Sequence, residues 1–208
     1  MTRSQPDPDK ILDVACELAG KSSWEAFSIT DLARRLDYSL VDIKRLYRSK
    51  DDMAEGLFDR ADDTMLQFAS RADFQARPAE EKLPEVIMCW FESMAPIKPL
   101  IREILAYKFE PGHFHLQAHG ITRVSRTVQW FLASAARQKT GFARIADEVA
   151  ITSAYLTSFS FFLFDKSESH TNTRALLKRL LRRIDQGHEF LSAKAPLKTS
   201  SPPAGPKA

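Results

Sequence analysis

Apolar residues recur at helical spacing through most of the chain. Ile11, Leu12, Ala15, Cys16, Leu18 and Ala19 form one stripe, which predicts a helix from Pro8 to about Gly20. Pro8 suits a first helical position, and Asp7 before it can cap. Three Ser-x-x-Asp signatures follow, at Ser28–Asp31, Ser39–Asp42 and Ser49–Asp52. In each, the serine oxygen can accept from a helix-start N–H while the carboxylate reaches back. Their close spacing leaves room for two short helices joined by tight turns. Ile29, Leu32, Ala33 and Leu36 give the first of these its apolar face; Ile43, Leu46 and Tyr47 serve the second. A longer helix then runs from Ser49 to about Ser70, and the chain breaks at Arg77-Pro78. Further helices are predicted near 80–94, 97–109, 113–139, 143–165 and 172–192. Pro96 and Pro99, Pro111-Gly112, Thr140-Gly141 and the polar stretch Lys166–Asn172 mark the breaks between them. No period-2 strand pattern and no internal repeat is visible. The pattern predicts an all-α fold. Residues 193–208, rich in Pro, Lys, Ser and Ala, are too poor in apolar groups to order and are expected to be a disordered tail.

Composition narrows the class. The chain has 208 residues, 44% of them hydrophobic. A fold of this size should bury roughly 70–75% of its unfolded surface, so no metal or disulfide is needed to hold it. Only 7 glycines argue against a Gly-rich nucleotide fold or a turn-rich β protein. Cys16 and Cys89 both sit in apolar helical patterns, which fits a reducing compartment and no disulfide framework. The start, MTRSQPDPDK, is too polar for a signal peptide. The longest apolar run, near Phe159–Phe164, is far below the roughly 20 residues a span needs. The expectation is a cytoplasmic protein with no integral membrane association.

Charge changes the picture more than composition does. The overall balance is +3, but Arg34 to Lys50 holds six basic residues against two acidic ones, a net of +4. The rest of the first 60 residues is acidic. Two short helices joined by a brief turn describe a helix-turn-helix, and the basic island coincides with it. Phosphate binding needs such local positive potential; a merely solvated basic face has no reason to fall there.

These residues carry a family resemblance. Ile11–Leu18, Phe27–Ala33, Tyr38-Ser39 and Leu46–Asp51 resemble the N-terminal signature of TetR-type regulators over about residues 8–60. The resemblance implies a three-helix DNA-binding unit, here 1–50, and a helical domain, here 51–192, that binds a ligand and forms a homodimer. It also implies that the helix opening at Ser39 is the recognition helix and that Lys50 contacts a phosphate. The candidate DNA-binding residues are Ser39, Lys44, Arg45, Tyr47, Arg48 and Lys50. The sequence departs from the family pattern at Asp37-Tyr38-Ser39, Val41 and Lys44. Asp42 is either a cap at the third helical position or an acceptor for cytosine N4. Asn and Gln are absent from 39–48, which leaves direct readout to Lys44, Arg45 or Arg48.

A second resemblance lies at the other end. Phe161–Ser167, Thr173–Leu177 and Leu180–Ile184 resemble ubiquinone-biosynthesis accessory proteins of the same fold, which bind isoprenoid lipids and have lost DNA binding. Phe162 stands where that motif carries Trp.

Large apolar groups between 84 and 132 are either bundle core or a pocket wall. Trp90, Phe91, Met94, Tyr107, Phe131 and Phe162 are the candidate ligand-binding residues, and an apolar small molecule or lipid is the expected ligand. The later half of the helix near 143–165 is apolar nearly all round, so it needs a partner on its second face. Arg174, Lys178, Arg179, Arg182 and Arg183 form a basic stripe, read as a solvated face or a contact with anionic lipid. His113, His115 and His119 cluster without a clear fourth ligand, so no metal site is expected. No nucleophile elbow, zinc-protease or P-loop motif appears, and neither an enzyme nor a cofactor is expected. The resulting expectation is a ligand-responsive regulator that binds a double-stranded DNA operator as a homodimer. The alternative is a lipid-binding protein of the same fold with a vestigial helix-turn-helix.

Overall fold

The computed structural model describes residues 5–108, 114–137 and 139–194, with the backbone alone for 114–121, 142 and 188–194. The described residues form ten α-helices and two 3-10 turns, with no strand among them. The all-α expectation therefore holds.

Helix α1 (Pro8–Lys21) starts where Asp7 accepts from Asp9 N at 3.0 Å. Ser28, Ser39 and Ser49 cap α2 (Ile29–Leu36), α3 (Leu40–Leu46) and α4 (Lys50–Ala69). Only Ser39 forms the full reciprocal box: its oxygen accepts from Asp42 N at 3.1 Å, and Asp42 Oδ2 accepts from Ser39 N at 3.1 Å. Asp31 turns instead to Arg34, at 2.6 Å. Asp52 takes the N–H of Arg48, one residue before the cap, at 2.9 Å. Asp37 makes the turn from α2 to α3 with φ 56°, a conformation Asp tolerates because its short polar side chain can bond locally.

The bundle follows as α5 (Ala72–Gln75), α6 (Ala79–Ser93), α7 (Lys98–Lys108), α8 (Phe114–Ser134), α9 (Gly141–Phe162) and α10 (Thr171–Lys194). The single turn α5 is too short to show in periodicity. Helix α8 stops at Ser134 rather than 139, because Ala136 takes φ 52° and Arg137 N bonds back to Leu132 O at 2.9 Å. Gly141, at φ 61°, opens α9 in a conformation that favours glycine. Helix α9 ends at Phe162, short of the expected 165. Beyond it, Asp165 accepts from Ser167 N at 2.9 Å, Thr173 N at 2.9 Å and Thr173 Oγ1 at 2.6 Å. That carboxylate fixes the corner into α10.

One apolar cluster runs from Ile11 in α1 to Leu181 in α10, so the N-terminal helices and the bundle share a core. Helix α4 packs along α6, and α9 packs along α10. No described helix is long and apolar enough to cross a membrane. The expected disordered tail lies outside the described residues from 195 onward.

Candidate functional site

Helix α3 presents its cations outward. Lys44, Arg45 and Arg48 are exposed. Arg45 Nη1 lies 3.8 Å from Asp42 Oδ1, a rim contact of little energetic weight. Asp42 is tied into the capping box, so its cap role is realised. Leu40 and Val41, in the first turn, are 53% and 59% exposed. Ser39 is half-buried and acts as the N-cap. Tyr47 closes α3, half-buried, with its hydroxyl 3.4 Å from Pro8 O.

Lys50 behaves differently from its neighbours. Its ammonium donates to Trp24 O at 3.1 Å and Glu25 O at 2.7 Å, and sits 4.4 Å from the Phe27 ring centroid. Burial lowers its pKa. Lys50 thus holds the corner between α1 and α2, and a phosphate contact requires it to leave these carbonyls. Glu103 on α7 grips the same corner by accepting from Trp24 N at 2.9 Å. Beside α3, a groove of about 670 Å³ has Arg45, Tyr47 and Arg48 on one side and Asp52, Asp59 and Asp63 on α4 opposite.

A second cavity, of about 690 Å³, lies in the bundle. Glu55 and Phe58 of α4, Trp90 of α6, and Leu105 and Lys108 of α7 form part of its wall. Arg123, Val124, Ser125 and Thr127 of α8 form another part. Ile145, Glu148, Val149, Thr152, Ser153, Tyr155, Leu156, Phe159 and Ser160 of α9 complete it. Of the six expected ligand residues, only Trp90 lines it. Phe91, Met94, Phe131 and Phe162 are buried in the core instead. Phe91 stacks on Phe162 at 5.2 Å, and Phe131 meets Trp90 edge-on at 6.1 Å. Tyr107 is half-buried on α7 and outside the lining. The physical reason is that helical spacing marks a buried face without saying whether it meets another side chain or a void.

Charged groups the sequence reading passed over stand at the cavity's inner wall. Lys108 pairs with Glu55, and Arg123 Nη1 with Asp59. Arg123 Nη2 meets Asp62 Oδ2 at 3.0 Å. Asp62 also accepts from Trp90 Nε1 at 2.7 Å and Thr127 Oγ1 at 3.2 Å. Burial pushes the Asp62 carboxyl above its ordinary range, against the pull of Arg123, Trp90 and Thr127. A lone arginine within the apolar pattern of α8 was the available signal for this cluster.

At the far corner, Phe162 is fully buried and packs on His170, 4.8 Å between rings. The stretch that resembles the lipid-binding accessory proteins is therefore a structural joint between α9 and α10. Arg174 is not part of a free basic face, since it bonds Glu85 at 2.6 Å and Glu92 at 3.0 Å on α6. Burial raises the thiols of Cys16 and Cys89 to about 11, so neither is a ready nucleophile. Among the described residues, no group of three His, Cys, Asp or Glu could hold a metal. The side chains of His113, His115 and His119 lie outside the described residues.

No family model matches the chain. No curated protein matches it either. Among solved structures, it resembles the TetR transcriptional regulator from Nitrosomonas europaea ATCC 19718. That match has 38% identity and a TM-score of 0.76, and covers 86% of this chain and 98% of the other. The chain belongs to the TetR family of transcriptional regulators. It therefore belongs among regulators and not among enzymes. The transcriptional regulator FadR from Bacillus subtilis, solved in complex with stearoyl-CoA, matches at 16% identity and TM-score 0.50 over 84% of this chain and 97% of its own. That likeness concerns the fold alone.

Proposed function

We propose that this TetR-family regulator binds a double-stranded DNA operator through α3, as a cytoplasmic homodimer, and responds to an apolar ligand held in its bundle. The observation that carries the DNA reading is the outward face of α3. Lys44, Arg45 and Arg48 are exposed there, while Asp42 is drawn back into the capping box. Phosphate contacts from these cations release counterions, and Leu40 and Val41 are placed to meet base edges in the major groove. The bundle cavity supports the ligand reading, and the stearoyl-CoA complex of FadR shows a long acyl group carried by a protein of this fold. Ligand and DNA would couple through their different affinities for two arrangements of the dimer.

Salt-dependent binding to the chain's own upstream DNA tests this. The double variant Arg45→Ala, Arg48→Ala is expected to weaken binding and reduce the salt slope by about two, one per lost phosphate contact. An unchanged slope would sink the assignment of α3.

The engagement of Lys50 with two carbonyls favours a second reading, a lipid-binding protein of ubiquinone or lipid metabolism with a vestigial helix-turn-helix. Equal, weak affinity for every duplex would select it.

A further inference from the structure

The charges around the bundle cavity decide what it accepts. Lys108 and Arg123 are the cations of its described lining, and both are buried. Both are already neutralised, Lys108 by Glu55 and Arg123 by Asp59 and Asp62. An entering acid finds no free cation there. It would have to take one from a carboxylate and leave that carboxylate buried and alone.

Glu148 is the opposite case. It faces the cavity from α9, half-buried, and accepts from the Ser125 hydroxyl at 3.4 Å. It has no Lys or Arg partner among the described residues. The uncompensated charge at the lumen is thus an acceptor. Beside it, Ile145, Val149, Leu156 and Phe159 make a long apolar wall along α9, about 21 Å at 1.5 Å per residue.

We infer that the cavity takes a single-chain lipid with a non-anionic, hydrogen-bond-donating head, an alcohol or an amine, whose donor is accepted by Glu148 while the chain lies along α9. The inference rests on the cavity being the ligand site, as proposed above, and names the class of that ligand.

The test uses the full chain without DNA. Hexadecan-1-ol, hexadecylamine and hexadecanoate are titrated in turn, and quenching of tryptophan fluorescence is read, since Trp90 lines the cavity. The alcohol or the amine should bind at least tenfold tighter than the acid, and the two arms tell which head is preferred. Glu148→Lys, at a half-exposed position, should invert the ranking, so that the acid binds best. Val149→Trp should block all three probes by filling the mouth. An acid that binds as well as the others, a silent Glu148→Lys, or no binding by any probe overturns the inference. If the ranking holds but no operator is bound, the regulator reading fails and the ligand class stands. If DNA binding holds but the acid ranks first, only the ligand class falls.

Discussion

Gly56 shows how one position can shape the reading head. A Cβ there would lie 2.9 Å from Tyr47 Cε1 and 3.3 Å from Leu12 Cδ1. Glycine inside a helix is less favourable than alanine by up to about 1 kcal/mol. The close approach of α4 to the Tyr47 ring offsets that. Gly56→Ala is therefore expected to destabilise the wild-type chain by about 1 kcal/mol through overpacking. In a Tyr47→Ala background the ring is gone, and the same change should stabilise by about 1 kcal/mol. Urea denaturation of the four proteins measures both, and an effect of the same sign in both backgrounds would contradict the role of Gly56. At this scale, sequence was most informative where the interaction is local. The Ser39–Asp42 box spans three residues, and its spacing alone announces it. Lys50 was legible as a basic residue in a basic island, but not as one turned inward, because Trp24 and Glu25 are half a domain away in sequence. Arg123 and Asp62 are 61 residues apart, and no short pattern joins them.

The helices are joined by ion pairs as well as by apolar faces, and the two kinds of joint differ in pH response. Arg137, just past α8, bonds Asp147 on α9 at 2.7 and 2.8 Å and Asp185 on α10 at 2.8 Å. Lys139 adds a contact of 2.8 Å to Asp147. Burial disfavours the charged Asp147, but the bonds from Arg137 and Lys139 outweigh it and hold the carboxyl at about 2. An unfolded Asp titrates at about 3.9, so the folded value is depressed. The stability Asp147 contributes is present above about pH 4 and is lost as pH falls towards 2. Thermal unfolding of wild type and Asp147→Asn should therefore differ above pH 4, with the gap closing between pH 4 and 2. A gap that stays constant over that window would refute the assignment. The joint of α4 to α8 makes a sharper case. Arg123→Met leaves Asp62 buried without its cation, and the cost should be about 3–5 kcal/mol in urea denaturation. The double variant Arg123→Met, Asp62→Leu removes both charges and should recover most of that loss. Which helices form was readable from periodicity and caps. How they lock together was not, because the locking charges sit on different helices and no local rule pairs them.

Across the whole molecule, α4 is the shared element. Its N-terminal end holds the head: Lys50 binds the α1–α2 corner, and Arg60 bonds Asp13 at 2.6 Å and Asp9 O at 2.8 Å on α1. Its middle meets the cavity wall through Glu55, Asp59 and Asp62. A displacement of α8 by a ligand therefore reaches the head through rigid contacts. Such a shift matters to DNA only if two heads are held at a fixed spacing, since half-sites one turn apart lie about 34–36 Å from each other. The exposed end of α9 is the surface best suited to hold them. Phe161 and Phe164 are 45% and 69% exposed there, and two large aromatics left in water are a cost that a second copy would remove. Phe161→Glu with Phe164→Glu should leave the monomer folded, because neither ring is in the core. It should convert a dimer to a monomer in analytical ultracentrifugation. Operator affinity should then fall by about 10²–10⁴, the avidity that linking two binding sites supplies, while single half-site binding stays unchanged. A variant that remains dimeric would move the interface off α9. A monomer that binds the full operator as tightly as wild type would show that α3 reads DNA without its mate, and the spacing of the heads would then carry no regulatory information.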